Sequence, residues 1–296
     1  MLSLSRNASR IDPRDVQARQ RAAWASGDYA AVGNALQIVS EDLCETVNLC
    51  QDERVLDVAA GNFHASLAAA RRWCDVSATD HVSDLPGRNR QRAEAASMGV
   101  RLVNADAEAL PFADQSFNAV ISAFGAMFAV DQERAASEMI RVCRRGKRLA
   151  LANWTPEGFI GQLFGTIARH APQATSGASP FLWGTEERLH ELFGAYGSVW
   201  SNARTVALRA RTPMDWVDKL RAGYAPVLKV CAQLDAGQQK SLRNDLLELV
   251  TRFNRAQDSS MLVDAAYLEV VVPDGDAGRA GELLAELRDE VSAALA

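Results

Sequence analysis

The chain has 296 residues, of which 48% are hydrophobic and 23% charged, and it carries a formal net charge of −5 at pH 7. This length can bury the core of one large domain, or of one domain with an appended cap, and the composition is that of an ordinary soluble globular protein. The negative charge argues against a nucleic-acid partner, because binding to phosphates requires a basic face.

Cysteine spacing and apolar runs bear on the cellular location. The five cysteines are scattered and include no C-x-x-C pair, which fits reduced thiols better than a disulfide framework or a zinc site. Residues 1–10 contain no apolar signal region, and no apolar run approaches the roughly 18 residues that a membrane span needs. We therefore expect a cytoplasmic protein with no metal ion and no membrane partner.

Short apolar strands alternate with helices between residues 54 and 153. Strands are predicted at 55–58, 76–79, 101–104, 118–123 and 148–153, and helices at 65–72, 84–97 and 131–143. This alternation predicts a parallel sheet with helices on both faces. Sheets of this kind bind ligands at the carboxyl ends of their strands.

The C-terminal half has the pattern of a cap over such a sheet. Helices are predicted at 157–170, 186–193, 213–257 and 279–295, and strands at 199–208 and 265–272. The helical region 213–257 has a length compatible with two or three helices and lies between the last two predicted strands, where an insertion can roof a site at the edge of the sheet. The polar loop 171–180 contains proline and glycine and is a candidate lid segment.

Three aspartates end successive predicted strands. Asp57 closes the first strand, Asp80 the second and Asp106 the third. A carboxylate after the second strand can accept hydrogen bonds from ribose hydroxyls, and one after the third can accept from an exocyclic amine such as adenine N6. Each acid alone could be a helix cap or a turn residue, but three in register indicate a nucleotide site.

Three segments of the predicted core match a known family at fixed spacing. They are Val55-Leu-Asp-Val-Ala-Ala-Gly61, Ala78-Thr-Asp80 and, above all, Asn104-Ala-Asp-Ala-Glu-Ala-Leu-Pro-Phe-Ala-Asp-Gln-Ser-Phe-Asn-Ala-Val120. On these residues, 54–155 resembles the class I S-adenosylmethionine (SAM) dependent methyltransferases, in the type 11 branch with the ubiquinone- and menaquinone-biosynthesis-type enzymes. The resemblance implies a Rossmann-like α/β fold. Its sheet would be doubly wound and seven-stranded with the last strand antiparallel, and N-terminal helices would precede it. The family usually joins the last two strands in a hairpin, whereas here the helical region 213–257 would form a cap inserted between them.

The same resemblance implies a division of the chain. We expect an N-terminal helical lid (1–50), a SAM-binding core (51–155), a substrate cap together with the last strands of the core sheet (156–275), and a C-terminal helix (276–296). The final helix could pack on the sheet or on a second subunit, so a homodimer is possible.

SAM is the cofactor that the resemblance implies, and its contacts would come from loop and strand-end positions. The implied cofactor residues are Asp57, Ala59, Gly61, Phe63, Asp80, Asp106, Ala107 and Phe124, with Trp24 and Tyr29 closing the site from the N-terminal segment. The loop from Asp57 to Phe63 would hold the methionine part of SAM. Asp80 would hold the ribose, Asp106 and Ala107 the adenine, and Phe124 would lie near the methyl group.

The loop departs from the family pattern at its glycines. A glycine-rich version reads Asp-x-Gly-x-Gly-x-Gly, whereas Asp57, Ala59, Gly61 and Phe63 occupy those positions here. The last glycine lets the backbone approach the ligand closely, which a ring would obstruct. Phe63 could turn outward and leave the loop intact, or it could fill the space of the amino-acid part of SAM.

Aromatic side chains predict the character of the methyl acceptor. Phe128, Trp154, Phe159 and Trp183 are candidate substrate-binding residues, which favours a small apolar or aromatic acceptor. His170 and His190 are weak candidates for a general base, and His64 is interpreted as a solvated first-turn residue of its helix. No Ser-His-Asp ordering and no metal-ligand spacing is visible.

Three hypotheses follow. The first is transfer of a methyl group from SAM to a small molecule by in-line attack on the sulfonium methyl. The second is a methyltransferase-fold protein whose cofactor site is lost or repurposed, acting as another enzyme or as a regulatory or ligand-binding protein. The third and weakest is a nicotinamide oxidoreductase, because Gly-x-Gly-x-x-Gly is absent and the Asp106 segment has no role there.

Overall fold

A computed structural model of the chain describes residues 33–82, 91–94, 96–171 and 178–273. The predicted closing aromatics Trp24 and Tyr29 and the predicted helix 279–295 lie outside these residues. Most of the predicted helix 84–97 and the centre of the loop 171–180 also lie outside the described residues. The described part of the predicted helix is helical at 91–94.

Seven strands of the described residues form one sheet. They are β1 (Arg54–Val58), β2 (Asp75–Asp80), β3 (Val100–Asn104), β4 (Phe117–Ala123), β5 (Cys143–Trp154), β6 (Trp200–Ala210) and β7 (Met261–Pro273). Their order is β3-β2-β1-β4-β5-β7-β6. The first five strands pair in parallel, and β7 is antiparallel to both β5 and β6. The predicted fold class is confirmed.

Helices cover both faces of this sheet. They are α1 (Gln37–Thr46), α2 (His64–Arg71), α3 (Gln132–Val142), α4 (Phe159–His170), α5 (Glu186–Phe193), α6 (Pro213–Gly223), α7 (Ala225–Cys231) and α8 (Ala236–Phe253). The central strands are continuously apolar because both of their faces are covered, so Val55, Leu56, Ile121 and Leu149 are fully buried. No helix in the described ranges is long and apolar enough to cross a membrane.

The predicted helical region 213–257 consists of three helices, which agrees with its expected two or three, and the last of them ends at Phe253. Pro226 lacks a backbone N–H and its ring would clash with the preceding turn, so α6 stops before it and α7 starts around it. Asp235 then begins α8 with a capping box, in which its side chain accepts from the backbone N–H of Gln238.

Strand order reverses between β1 and β4, which lie side by side at the centre of the sheet. The loops that leave the carboxyl ends of these two strands diverge to opposite sides and open a crevice. The fold therefore brings the β1–α2 loop, the end of β2 and the segment after β4 to one place.

Candidate cofactor and acceptor site

A cavity of about 230 Å³ lies in this crevice. We call one side the cofactor wall: it is formed by Asp57, Ala59, Gly61, Asp80, Asp106 and Ala107, from the ends of β1, β2 and β3 and the loops that follow them. We call the other side the cap wall: it is formed by Phe128, Trp154, Ile160 and Tyr224. Phe124 lies between the two walls and also lines the cavity.

Asp57 is a buried carboxylate with one unsatisfied oxygen. The hydroxyl of Ser66 donates to its Oδ2 at 2.5 Å, while Oδ1 has no hydrogen-bond partner among the described residues. Burial raises the pKa of Asp57 to about 7, and the charge of Asp80 acts in the same direction. An unsatisfied buried acceptor in a residue that lines the cavity fits the ammonium group of an amino-acid ligand.

Asp80 joins two loops through its carboxylate. The backbone N–H of Gly61 donates to Oδ2 and that of Val82 to Oδ1, each at 2.9 Å. Each carboxylate oxygen can accept a second hydrogen bond, so Asp80 can still receive two ribose hydroxyls. The side chain therefore fixes the β1–α2 loop and faces the cavity at the same time.

The loop after β3 is held by a residue that the sequence reasoning missed. Glu108 accepts from the backbone N–H groups of Val130 and Asp131 at 2.8 and 2.9 Å, so it ties this loop to the segment after β4. Burial raises the pKa of Glu108. Asp106 accepts from the N–H of Glu108 at 3.0 Å. The signal was available, because Glu108 lies inside the long matching segment 104–120.

That segment is also clamped from α3. Glu138 accepts from the N–H of Leu110 at 2.8 Å, and the Arg141 guanidinium donates to the carbonyls of Leu110 and Phe112 at 2.9 and 2.8 Å. Arg141 also pairs with Glu138, and this pairing lowers the pKa of the Glu138 carboxyl. The loop carrying Asp106 is thus fixed from two sides.

Phe124 and Trp154 form a stacked pair beside the cofactor wall. Their ring centroids are 3.8 Å apart with an interplanar angle of 10°. Phe124 has a left-handed backbone (φ 63°), which is uncommon for a bulky residue and clusters at functional sites. Tyr267 packs edge-on against Phe124 at 5.6 Å and supports the pair from behind.

Phe63 does not fill the part of the site that would receive the amino-acid end of SAM. The structure therefore corrects its prediction as a cofactor contact. Its backbone is left-handed (φ 64°), its side chain is 1% exposed, and it is not among the described residues that line the cavity. Its backbone N–H donates to the carbonyl of Ala60, so this group is hydrogen-bonded within the turn. The ring is turned away, and Ala59 and Gly61 of the same loop remain on the cavity surface.

The close contact between the β1–α2 loop and the segment after β4 depends on Gly125, which lies outside the β1–α2 loop. A Cβ added to Gly125, directly after Phe124, would lie 2.2 Å from the carbonyl oxygen of Ala59. The β1–α2 loop and the segment after β4 can touch only because position 125 has no side chain. Gly61 itself adopts φ +50° with open space around it.

His64 lies in the cavity lining and is not a solvated residue. Its side chain is half-buried, and its Nε2 is buried with no hydrogen-bond partner in the described ranges. Burial lowers the pKa of His64 to about 4, with the charges of Arg92 and Arg71 adding to the effect. The imidazole is therefore neutral at pH 7.

Four other predicted site residues lie away from the cavity lining. His170 pairs with Asp245 of α8 at 2.8 Å, and His190 is exposed on α5, so neither is placed as a general base. Phe159 and Trp183 are fully buried in the core, Phe159 against Trp216 and Phe253 and Trp183 against Phe193. Large aromatic side chains fill cores as readily as pockets, which is why sequence could not separate the two uses.

Comparison with known proteins assigns the family. The sequence profile of the methyltransferase domain matches residues 55–146. The chain is 35% identical over 116 residues to demethylmenaquinone methyltransferase of Thermus thermophilus, covering 38% of this chain and 53% of that one. It is 34% identical over 248 residues to the uncharacterized protein Rv1405c of Mycobacterium tuberculosis, covering 82% of this chain and 90% of that protein. Residues 55–146 of this chain therefore form a methyltransferase domain with the fold of the class I SAM-dependent methyltransferases.

Two further comparisons limit the conclusions that follow from this match. The chain is 42% identical over 175 residues to the uncharacterized protein Rv1403c of Mycobacterium tuberculosis, but the match spans only 64% of that protein's length. The solved structure of the Bacillus halodurans protein BH2331 has a TM-score of 0.57 at 19% identity, over 80% of this chain and 99% of that one. This likeness shows the fold.

Proposed function

We propose that this methyltransferase transfers the methyl group of SAM to a small, apolar or aromatic molecule. The observation that carries the proposal is the pairing of two unlike walls in one cavity. Carboxylates of the cofactor wall suit the ammonium and hydroxyl groups of SAM, whereas the cap wall is aromatic and aliphatic.

Bound SAM supplies an electrophilic methyl group on a positively charged sulfur, and the sulfur keeps the electron pair of the broken bond. The protein's task is to hold the acceptor atom in line with that bond and to exclude water. Asp80 would orient the ribose, and Asp57 Oδ1 would accept from the ammonium group. The stacked rings of Phe124 and Trp154 would limit the acceptor's movement.

Proton removal from the acceptor is the remaining requirement. His170 and His190 lie away from the cavity lining, so neither is proposed as the base. An acceptor with an acidic proton of its own can lose it to water before methylation. An amine or a thiolate already has a free electron pair. The proposal therefore includes no catalytic base.

Calorimetric titration with SAM and with S-adenosylhomocysteine tests the cofactor half of the proposal. Micromolar binding of both is expected. Turnover is then measured as S-adenosylhomocysteine release, with equal-sized panels of small phenols, amines, thiols and sugars. We expect release with apolar or aromatic acceptors and not with sugars. Absence of binding would favour a protein that has lost the cofactor, and binding without turnover would favour a ligand-binding or regulatory protein.

A further inference from the structure

SAM carries two opposite charges at its amino-acid end, and the cofactor wall offers partners for one of them. The charged side chains of this wall, Asp57, Asp80 and Asp106, are all carboxylates. They suit the ammonium group and the ribose hydroxyls, but they repel the carboxylate of the same amino acid. A group able to donate to an anion is therefore needed elsewhere in the cavity lining.

Two residues of the cavity lining have a buried polar atom without a hydrogen-bond partner among the described residues. They are Asp57, through its Oδ1, and His64, through its Nε2. Asp57 lies near the end of β1 and His64 is the first residue of α2, so the two side chains stand at opposite ends of one loop. Unpaired buried polar atoms cost free energy, and a ligand that pairs with both atoms removes that cost.

The charges around these two residues have opposite signs. The charge that acts on Asp57 is that of the Asp80 carboxylate. The charges that act on His64 are the guanidinium groups of Arg92 and Arg71, and Arg92 also donates a hydrogen bond to a carbonyl of the β1–α2 loop at 2.9 Å. A cation is therefore favoured beside Asp57 and an anion beside His64. This polarity matches that of a zwitterionic amino acid.

Gly33, which precedes α1 in the chain, borders the imidazole of His64. A Cβ added to Gly33 would lie 3.4 Å from His64 Nε2 and 3.0 Å from Asn62 Nδ2, so a side chain at this position would crowd both groups. Gly33 also lines the cavity, and its missing side chain leaves room beside Nε2 for a ligand atom. The neutral imidazole donates there in the tautomer that carries its proton on Nε2.

We propose that His64 receives the carboxylate of SAM: its Nε2–H donates to a carboxylate oxygen while Asp57 Oδ1 accepts from the ammonium group. This role rests on the proposed function, because it concerns the cofactor of that same reaction. A site built to bond one polar group discriminates strongly against an analogue that lacks it. His64 is thus a specificity-determining residue, which selects SAM and S-adenosylhomocysteine over adenosine thioethers that have no carboxylate.

A cycle of ligand and side-chain deletions tests this proposal. The full chain is titrated calorimetrically with S-adenosylhomocysteine and with its decarboxylated analogue, 5′-(3-aminopropylthio)-5′-deoxyadenosine, which keeps the nucleoside and the ammonium group. The wild type is compared with His64→Leu, with His64→Gln, whose amide can still donate, and with His190→Leu on the exposed face of α5.

We expect the wild type and His190→Leu to bind S-adenosylhomocysteine roughly 30-fold more tightly than the decarboxylated analogue, because a hydrogen bond to a charged group is lost with the carboxylate. In His64→Leu this preference should fall to less than about 3-fold, since no donor is left for the carboxylate. In His64→Gln it should stay above about 10-fold.

The same titrations give the contradicting outcomes. An unchanged preference in His64→Leu, or an equal loss of affinity for both ligands, would overturn the contact between His64 and the carboxylate. A preference in His64→Gln as small as that in His64→Leu would show that the shape of the imidazole matters and not its donor. Failure of the wild type to bind S-adenosylhomocysteine would contradict the proposed function, whereas binding of both ligands with equal affinity would contradict only the role of His64.

Discussion

The two walls of the cavity are built by different forces. The cofactor wall is fixed by directional hydrogen bonds from backbone N–H groups to carboxylates, as in Asp80 with Gly61 and Glu108 with Val130. The cap wall is held by ring contacts, such as that of Phe128 with Phe164. Directional bonds specify one geometry, and apolar contacts tolerate changes of shape at constant volume. Substitutions in the cap wall can therefore change the acceptor that fits while the cofactor wall keeps its geometry.

The largest effect is expected from closing the contact between the two central loops. In Gly125→Ala the new Cβ would meet the Ala59 carbonyl oxygen at 2.2 Å, so the loops must separate. We expect SAM to bind roughly 100-fold more weakly and the free energy of unfolding to fall by about 1–3 kcal/mol. Calorimetry and urea denaturation measure the two. The control is Gly165→Ala in α4, where a Cβ meets nothing and should stabilise the helix by about 0.5–1 kcal/mol. Unchanged SAM affinity in Gly125→Ala would contradict the close approach.

Asp80→Asn should have the next largest effect. The variant loses the charge that strengthens the bonds from Gly61 and Val82, and it loses acceptor capacity toward the ribose. We expect a loss of about 2 kcal/mol in SAM binding, or roughly 30-fold in affinity. Asp75→Asn at the exposed start of the same strand is the matched control and should leave the affinity unchanged. Equal effects of the two substitutions would show that Asp80 makes no special contact.

Acidity should weaken cofactor binding through Asp57. Its pKa of about 7 means that below neutrality a proton occupies the carboxylate that would accept from the ammonium group of SAM. The bound cation favours the ionised form, so affinity should rise about 10-fold from pH 5.5 to pH 7.5. In Asp57→Asn the SAM affinity measured by calorimetry should be lower and should not change with pH over this range. If SAM affinity of the wild type does not change with pH, Asp57 does not bind the ammonium group.

The smallest effect on SAM is expected from the cap wall. Phe128→Leu keeps much of the volume but loses the ring contacts with Phe164 and Phe181. We expect SAM affinity to stay within about 2-fold, while kcat/KM for an acceptor found in the panels falls about 10-fold. A loss of SAM affinity as large as that in Asp80→Asn would show that the two walls do not act separately.

Local sequence patterns predicted the sheet and the cofactor wall well. Parallel strands end at one edge, so the aspartates at 57, 80 and 106 had to lie near one another, and all three line the cavity. Ala59, Gly61, Ala107 and Phe124 line it too, as the family resemblance implied.

The cap wall could not be predicted in the same way. Whether an aromatic residue faces a cavity or the core depends on packing between distant elements, so Phe128 and Trp154 line the cavity while Phe159 and Trp183 are core. Tyr224 was missed because nothing local indicates that a helix break 100 residues after β4 returns to the site. The direction of Phe63 follows from its left-handed backbone, which the sequence alone does not reveal.

The most direct measurement is calorimetric titration of SAM into the wild type and into Phe63→Gly. If the ring is turned away from the cofactor, both proteins should bind SAM at micromolar concentration with affinities within about 3-fold. Phe63→Gly should unfold more easily by about 2 kcal/mol, because losing a buried ring costs more than relief of the left-handed backbone returns. Binding by Phe63→Gly but not by the wild type would show that Phe63 closes the site.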